Sequence, residues 1–132
     1  MEDFYREYIL DHYRKPRNFG HLDEPTITFE DSNILCGDEI RIELLVDEAG
    51  RIEDVRFSGK GCAISQAATS MLTETLRGQE LSAVAVIPKE WVLDELGLGL
   101  GITPARMKCA LLGLKVVKSA ALGEIARWPD EE

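Results

Sequence analysis

Cysteine is scarce in this 132-residue chain and never paired: Cys36, Cys62 and Cys109 stand far apart, with no CxxC among them. The odd count and wide spacing argue against a disulfide framework, and a thiol oxidoreductase would lack its resolving cysteine. Positive charge is scarce too. Fifteen Lys and Arg against 24 Asp and Glu leave a net charge of −9, which repels phosphate backbones and argues against nucleic-acid binding. No apolar run reaches the roughly 18 residues of a membrane span. The opening Met1–Arg6 lacks the basic-then-apolar profile of a secretory signal. The expected location is therefore the cytoplasm, where thiols stay reduced. Gly59-Lys60-Gly61 lacks the spacing of a phosphate loop, and no Ser-His-Asp order, paired catalytic carboxylates or dinucleotide fingerprint occurs.

What is present suits one domain, 1–132, able to bury a core without disulfides. Apolar spacing predicts a helix over 2–13, ended by Pro16 and Asn18-Phe19-Gly20. Its Phe4, Tyr5 and Tyr8 either pack on the sheet or await a partner. Strands are expected at Thr26–Glu30, Glu39–Asp47 and Arg51–Ser58, the last two joined by the turn Asp47–Gly50. In the middle strand Ile40, Ile42, Leu44 and Val46 share one face. Helical spacing returns from Ile64 to Leu76, with Gly78 as the stop, then in two short pieces, Ala83–Ile87 and Pro88–Leu96. Thr103-Pro104 is an N-cap and first-turn proline opening a helix to about Arg127, with Met107, Ala110, Leu111, Leu114, Val117 and Ala121 as its buried stripe. The fold class is α+β, a small antiparallel three-stranded sheet with helices packed on one face.

The cysteines fall where strands or glycine turns meet helices. Taken singly, each is an ordinary small buried hydrophobe. Their surroundings point to ligation. Gly37, Gly59 and Gly61 allow tight backbone turns beside a bound ion. Cys62 falls near a helix N-terminus, where free amides and the helix dipole stabilise negative charge. Asp38 lies two residues after Cys36, on the same side of an extended segment. Cys36, Asp38, Cys62 and Cys109 make a four-ligand set of soft thiolates and one harder carboxylate, suited to Zn²⁺ or to iron–sulfur iron. Such a site is negative overall, and Lys60, Arg106 and Lys108 stand close in sequence to offset it, or simply form a solvated basic face. His12 is expected to pack on the first helix and His21 to be exposed. Trp91 and Trp128 read as helix anchors.

These residues also carry a resemblance. Asp11-His12-Tyr13-Arg14-Lys15-Pro16-Arg17-Asn18-Phe19-Gly20, Cys36-Gly37-Asp38, Gly61-Cys62-Ala63-Ile64-Ser65 and Lys108-Cys109 resemble, in order, the motifs of the IscU/SufU iron–sulfur cluster assembly family, also seen as the N-terminal domain of NifU. The resemblance runs from about Phe4 to Ala126. It implies that Cys36, Asp38, Cys62 and Cys109 hold a transient [2Fe–2S] cluster, iron or Zn²⁺. It further implies that a cysteine desulfurase delivers persulfide sulfur to Cys109, as in scaffold-type members, or to Cys36, as in SufU-type ones, and that finished clusters pass to apo-proteins.

Two departures stand out. Lys108-Cys109 replaces the His-Cys of scaffold-type members, as in the SufU branch. Ile102-Thr103-Pro104-Ala105-Arg106 replaces the LPPVK segment read by a dedicated Hsp70 chaperone, so that contact is not carried over. The stretch between Cys62 and Cys109 is short for the SufU insertion.

The leading expectation is a scaffold that builds and donates a labile [2Fe–2S] cluster. The alternative is a zinc-dependent sulfur acceptor that activates a desulfurase. A structural zinc module serving only protein interaction is the third reading, and a homo-oligomer is left open.

Overall fold

The computed structural model describes residues 3–35, 37–97 and 103–131. Helix α1 (Asp3–Arg14) leads into strands β1 (Ile27–Asn33), β2 (Asp38–Val46) and β3 (Ile52–Lys60). Helices α2 (Ala63–Thr73), α3 (Leu81–Val84), α4 (Lys89–Leu96) and α5 (Pro104–Leu122) follow, with a 3-10 turn at Pro129–Glu131. The strands form an antiparallel sheet in the order β1-β2-β3. This is the expected α+β arrangement, with β1 displaced to later residues than Thr26–Glu30.

Alternation along β2 decides which face is covered. Ile40, Ile42 and Leu44 point inward and are buried with Val55 and Phe57, in the register Ile42↔Phe57 and Leu44↔Val55. Asp38 shares their parity and so ends the same inner face. Helices α2 and α5 pack against that face. On the outer face Glu43 is buried too, because the Leu22 N–H and the His21 ring both bond its carboxylate.

Helix α5 is buried on nearly every side from Cys109 to Ala120, including Leu112 and Val116 opposite the expected stripe. A helix covered all round belongs inside a domain, and this one, with Lys115, Lys118 and Ser119 buried along with its apolar residues, passes between the sheet, α2, α3 and α4. Its start is as expected, with Thr103 Oγ1 accepting the Arg106 N–H at 3.3 Å. Its end is not. The helix stops at Leu122, five residues before Arg127, because Gly123 turns left-handed at φ 77°. Trp128 therefore sits beyond the helix rather than anchoring it. Its ring centroid lies 4.5 Å from Lys108 Nζ and 4.8 Å from Lys115 Nζ.

Most of the Asp11–Gly20 segment serves as a fastener. Asn18 adopts a left-handed conformation (φ 59°), and its carbonyl accepts the Phe57 N–H while Gly20 N–H bonds the Phe57 carbonyl, each at 2.8 Å. This covers the outer edge of β3, a protection such edges need. Helix α1 packs on α2 and α4 rather than on the sheet, leaving Phe4 exposed. His12 is buried, with Nδ1 2.7 Å from Ser70 Oγ and Nε2 3.3 Å from Glu74 Oε1.

Burial, aided by the Arg17 charge, holds the His12 imidazole below its ordinary value, against the opposing pull of Glu74, Asp11 and Glu95. Above pH about 6.5 the ring is neutral in folded and unfolded chains alike. Below that the unfolded chain takes up the proton first, so this part of the stability is lost as pH falls through the depressed value. Melting temperature should drop between pH 7.5 and 5.5, and drop less for His12→Gln. Equal drops in the two proteins would show that His12 does not set this dependence.

Candidate metal centre

The inner face of β2 ends at Asp38, where the N-terminus of α2 and the first turns of α5 converge. One ligand atom each from Asp38, Cys62 and Cys109 lie within 4.8 Å of one another, the sole such gathering of Asp, Glu, His and Cys among the described residues. Asp38 is 1% exposed and Cys109 8%, whereas Cys62 is open to solvent. The cluster thus has a buried floor and an accessible side. Cys36 lies outside the described residues.

Local chemistry explains how Asp38 is held. Its Oδ1 accepts the main-chain N–H of Cys62 at 2.9 Å, and its Oδ2 lies 4.0 Å from Cys62 Sγ. Cys62 is the N-cap of α2, yet its side chain makes no capping bond: the Asp38 carboxylate bonds the amide there, and Sγ stays with the Asp38 carboxylate in the cluster. Gly61 makes the approach possible. At φ 152° it has no side chain, and a Cβ there would fall 2.2 Å from Asp38 Oδ1 and 2.8 Å from Ser65 Oγ. Gly59 has the same need at the strand: a Cβ would fall 2.0 Å from the Glu39 carbonyl oxygen.

Two thiols and a carboxylate, all able to lose their protons, form a donor set that fits Zn²⁺ or iron. The basic residues near them are arranged differently from the expectation that they offset the site's charge. Lys108 Nζ is held by Glu131 at 2.7 Å and Asp130 at 3.3 Å, beside the Trp128 ring. Burial alone would depress this amine, but the two carboxylates outweigh it and raise its pKa. Lys60 pairs with Glu39 at 3.7 Å, and Arg106 is exposed on the first turn of α5. His12 and His21 stand outside the cluster, paired with Glu74 and Glu43.

Comparison with known proteins agrees with this geometry. The family model described as the NifU-like N terminal domain matches residues 4–126. The chain belongs to this family. Among NifU-like relatives, the zinc-dependent sulfurtransferase SufU of Bacillus subtilis is 33% identical, over 94% of this chain and 93% of its own length. The iron–sulfur cluster assembly scaffold protein IscU of Haemophilus influenzae is also 33% identical, over 88% of this chain and 91% of its own. A crystal structure of a candidate SUF-system scaffold from Fervidobacterium islandicum superposes with a TM-score of 0.75 at 29% identity, covering 87% of this chain and 94% of that one.

Sequence reasoning did not reveal the clamp on Lys108, because Asp130 and Glu131 follow it by 22 and 23 residues with no pattern to link them. The sequence alone marks Gly61 as a turn former, whereas the Asp38 carboxylate occupies the space its side chain would fill.

Proposed function

We propose that this protein is an iron–sulfur cluster assembly scaffold. In this reading it accepts sulfur from a cysteine desulfurase at Cys109 or Cys36, binds iron, and builds a labile [2Fe–2S] cluster on Cys36, Asp38, Cys62 and Cys109 for apo-proteins. The observation that carries it is the convergence of Asp38, Cys62 and Cys109 within 4.8 Å in a chain of this family. Sulfur arrives when a thiolate attacks the sulfane sulfur of the desulfurase persulfide, which releases the enzyme's cysteine as thiolate. The two sulfane sulfurs of one cluster take up four electrons to become sulfide, two from oxidation of two Fe²⁺ to Fe³⁺ and two from a thiol reductant, which the assay therefore supplies. Metal-free protein incubated anaerobically with Fe²⁺, cysteine, dithiothreitol and a cysteine desulfurase should develop a [2Fe–2S] absorption and circular dichroism spectrum. That spectrum should move to added apo-ferredoxin.

A second reading rests on Lys108. A protonated lysine held by two carboxylates cannot ligate metal as a histidine would. The site would then keep Zn²⁺ and exchange one ligand for the desulfurase's thiol, since zinc exchanges ligands without redox chemistry. Faster desulfurase turnover with zinc-loaded protein, and no cluster in the assay above, would select this reading.

A further inference from the structure

Of the three gathered ligands, two are joined directly, since the Asp38 carboxylate bonds the Cys62 N–H. Cys109 arrives on α5, so its place beside them depends on how that helix is seated against the end of the sheet. One ring sits at that seat. The Lys108 and Lys115 ammonium groups both lie over Trp128, 4.5 and 4.8 Å from its centroid. Lys108 is the chain neighbour of Cys109. Lys115, on the same face of α5, bonds the Asp31 carboxylate on β1. Asp31 shares the inner-face parity of Asn33, which pairs with Asp38 across the ladder between β1 and β2. Asn33 is buried, and its carbonyl accepts the Gly37 N–H at 2.9 Å, one residue before Asp38. The ring is thus linked on one side to the helix turn of Cys109 and on the other to the strand ends that carry Asp38.

The segment after α5 holds the ring there. The Ala126 N–H bonds the buried Ser119 hydroxyl at 2.9 Å, and Pro129 is buried beside the ring. Asp130 and Glu131 then close on Lys108, while Asp31 keeps Lys115 in place. We propose that Trp128 is a positioning residue of the metal centre. By gathering both ammonium groups on its polarised face, it fixes Cys109 against Asp38 and so sets metal affinity without touching a ligand. The inference rests on the metal-binding function proposed above, in which groups that orient the ligands contribute to affinity as the ligands do.

The test is zinc competition between the full chain and a chromophoric chelator, read beside the melting temperature of each protein. Trp128→Ala should bind Zn²⁺ about tenfold more weakly, the lower end of the effect of losing an orienting group. Trp128→Phe keeps an aromatic face for both ammonium groups and should recover most of that affinity. Val92→Ala, a buried truncation on α4, should melt lower than the parent and keep its zinc affinity. Asp130→Asn combined with Glu131→Gln releases Lys108 and spares the ring. This double variant should bind about threefold more weakly, the effect of a partly exposed ion pair, and it decides the outcome if Trp128→Ala does not fold. Parent-like affinity in Trp128→Ala, or equal losses in the alanine and phenylalanine variants, would overturn the brace and leave the metal centre standing. An equal loss in Val92→Ala would overturn it as well, because general stability would then set the affinity. A parent that binds no Zn²⁺ would instead overturn the metal centre itself.

Discussion

Gly61→Ala is expected to strip the protein of most of its metal affinity although no candidate ligand residue is itself replaced. The new methyl would lie 2.2 Å from Asp38 Oδ1 and 2.8 Å from its Cγ, distances no packed side chain tolerates. Asp38 has little room to retreat, being 1% exposed and bonded to the Cys62 amide. The collision therefore moves the carboxylate, and with it the start of α2 that carries Cys62. Disturbing the residues that orient ligands costs about 10- to 100-fold in metal affinity, so zinc competition against a chromophoric chelator should show a loss of that size or more. Backbone strain at positive φ would also destabilise the fold, by about 1–3 kcal/mol. Gly123→Ala separates the two causes. Gly123 has φ 77° but nothing within 4 Å of its absent Cβ, so that variant should lose some stability and keep its zinc affinity. Parent-like zinc binding by Gly61→Ala would mean that Asp38 need not occupy this position for the metal to bind.

This dependence on a missing side chain illustrates what the sequence could and could not disclose. Strand alternation was legible, because Ile40, Ile42 and Leu44 repeat at the strand period, and the same parity carries Asp38 to the inner face. The start of α5 was legible from Thr103-Pro104, where capping is a local matter. Its end was not. Apolar Ile125 and Ala126 continue the look of a helix beyond Gly123, although the backbone has already turned there. The candidate ligand types were legible from the cysteine motifs, and Asp38, Cys62 and Cys109 do converge. Contacts between remote segments were not: nothing in spacing ties Lys108 to Asp130 and Glu131, Lys115 to Asp31, or Gly61 to the Asp38 carboxylate. The burial of Gln66 Nε2 was equally silent, since a glutamine in an amphipathic helix reads as surface.

Asp38→Ala should do the reverse of Gly61→Ala and hold an assembled [2Fe–2S] cluster longer than the parent. Thiolates are the softer and more tenacious donors for iron, while a carboxylate is harder and more easily displaced by an incoming thiol. Here the carboxylate also shares its electrons with the Cys62 amide, through the 2.9 Å bond to Oδ1. That bond competes with metal coordination and favours release. Removing it should lengthen the cluster's half-life in the presence of apo-ferredoxin by about tenfold, the effect of ~1.4 kcal/mol on the barrier to loss. The alanine variant carries a structural cost, because the Cys62 N–H at the head of α2 loses its acceptor, worth about 1.5–3 kcal/mol for a bond to a charged group. Asp38→Asn removes this ambiguity, since its side-chain carbonyl still accepts that N–H but is a far weaker ligand. Both variants should retain cluster, and the asparagine should do so with a melting temperature closer to the parent's. If neither loses cluster more slowly than the parent, Asp38 orders the start of α2 and plays no part in cluster release.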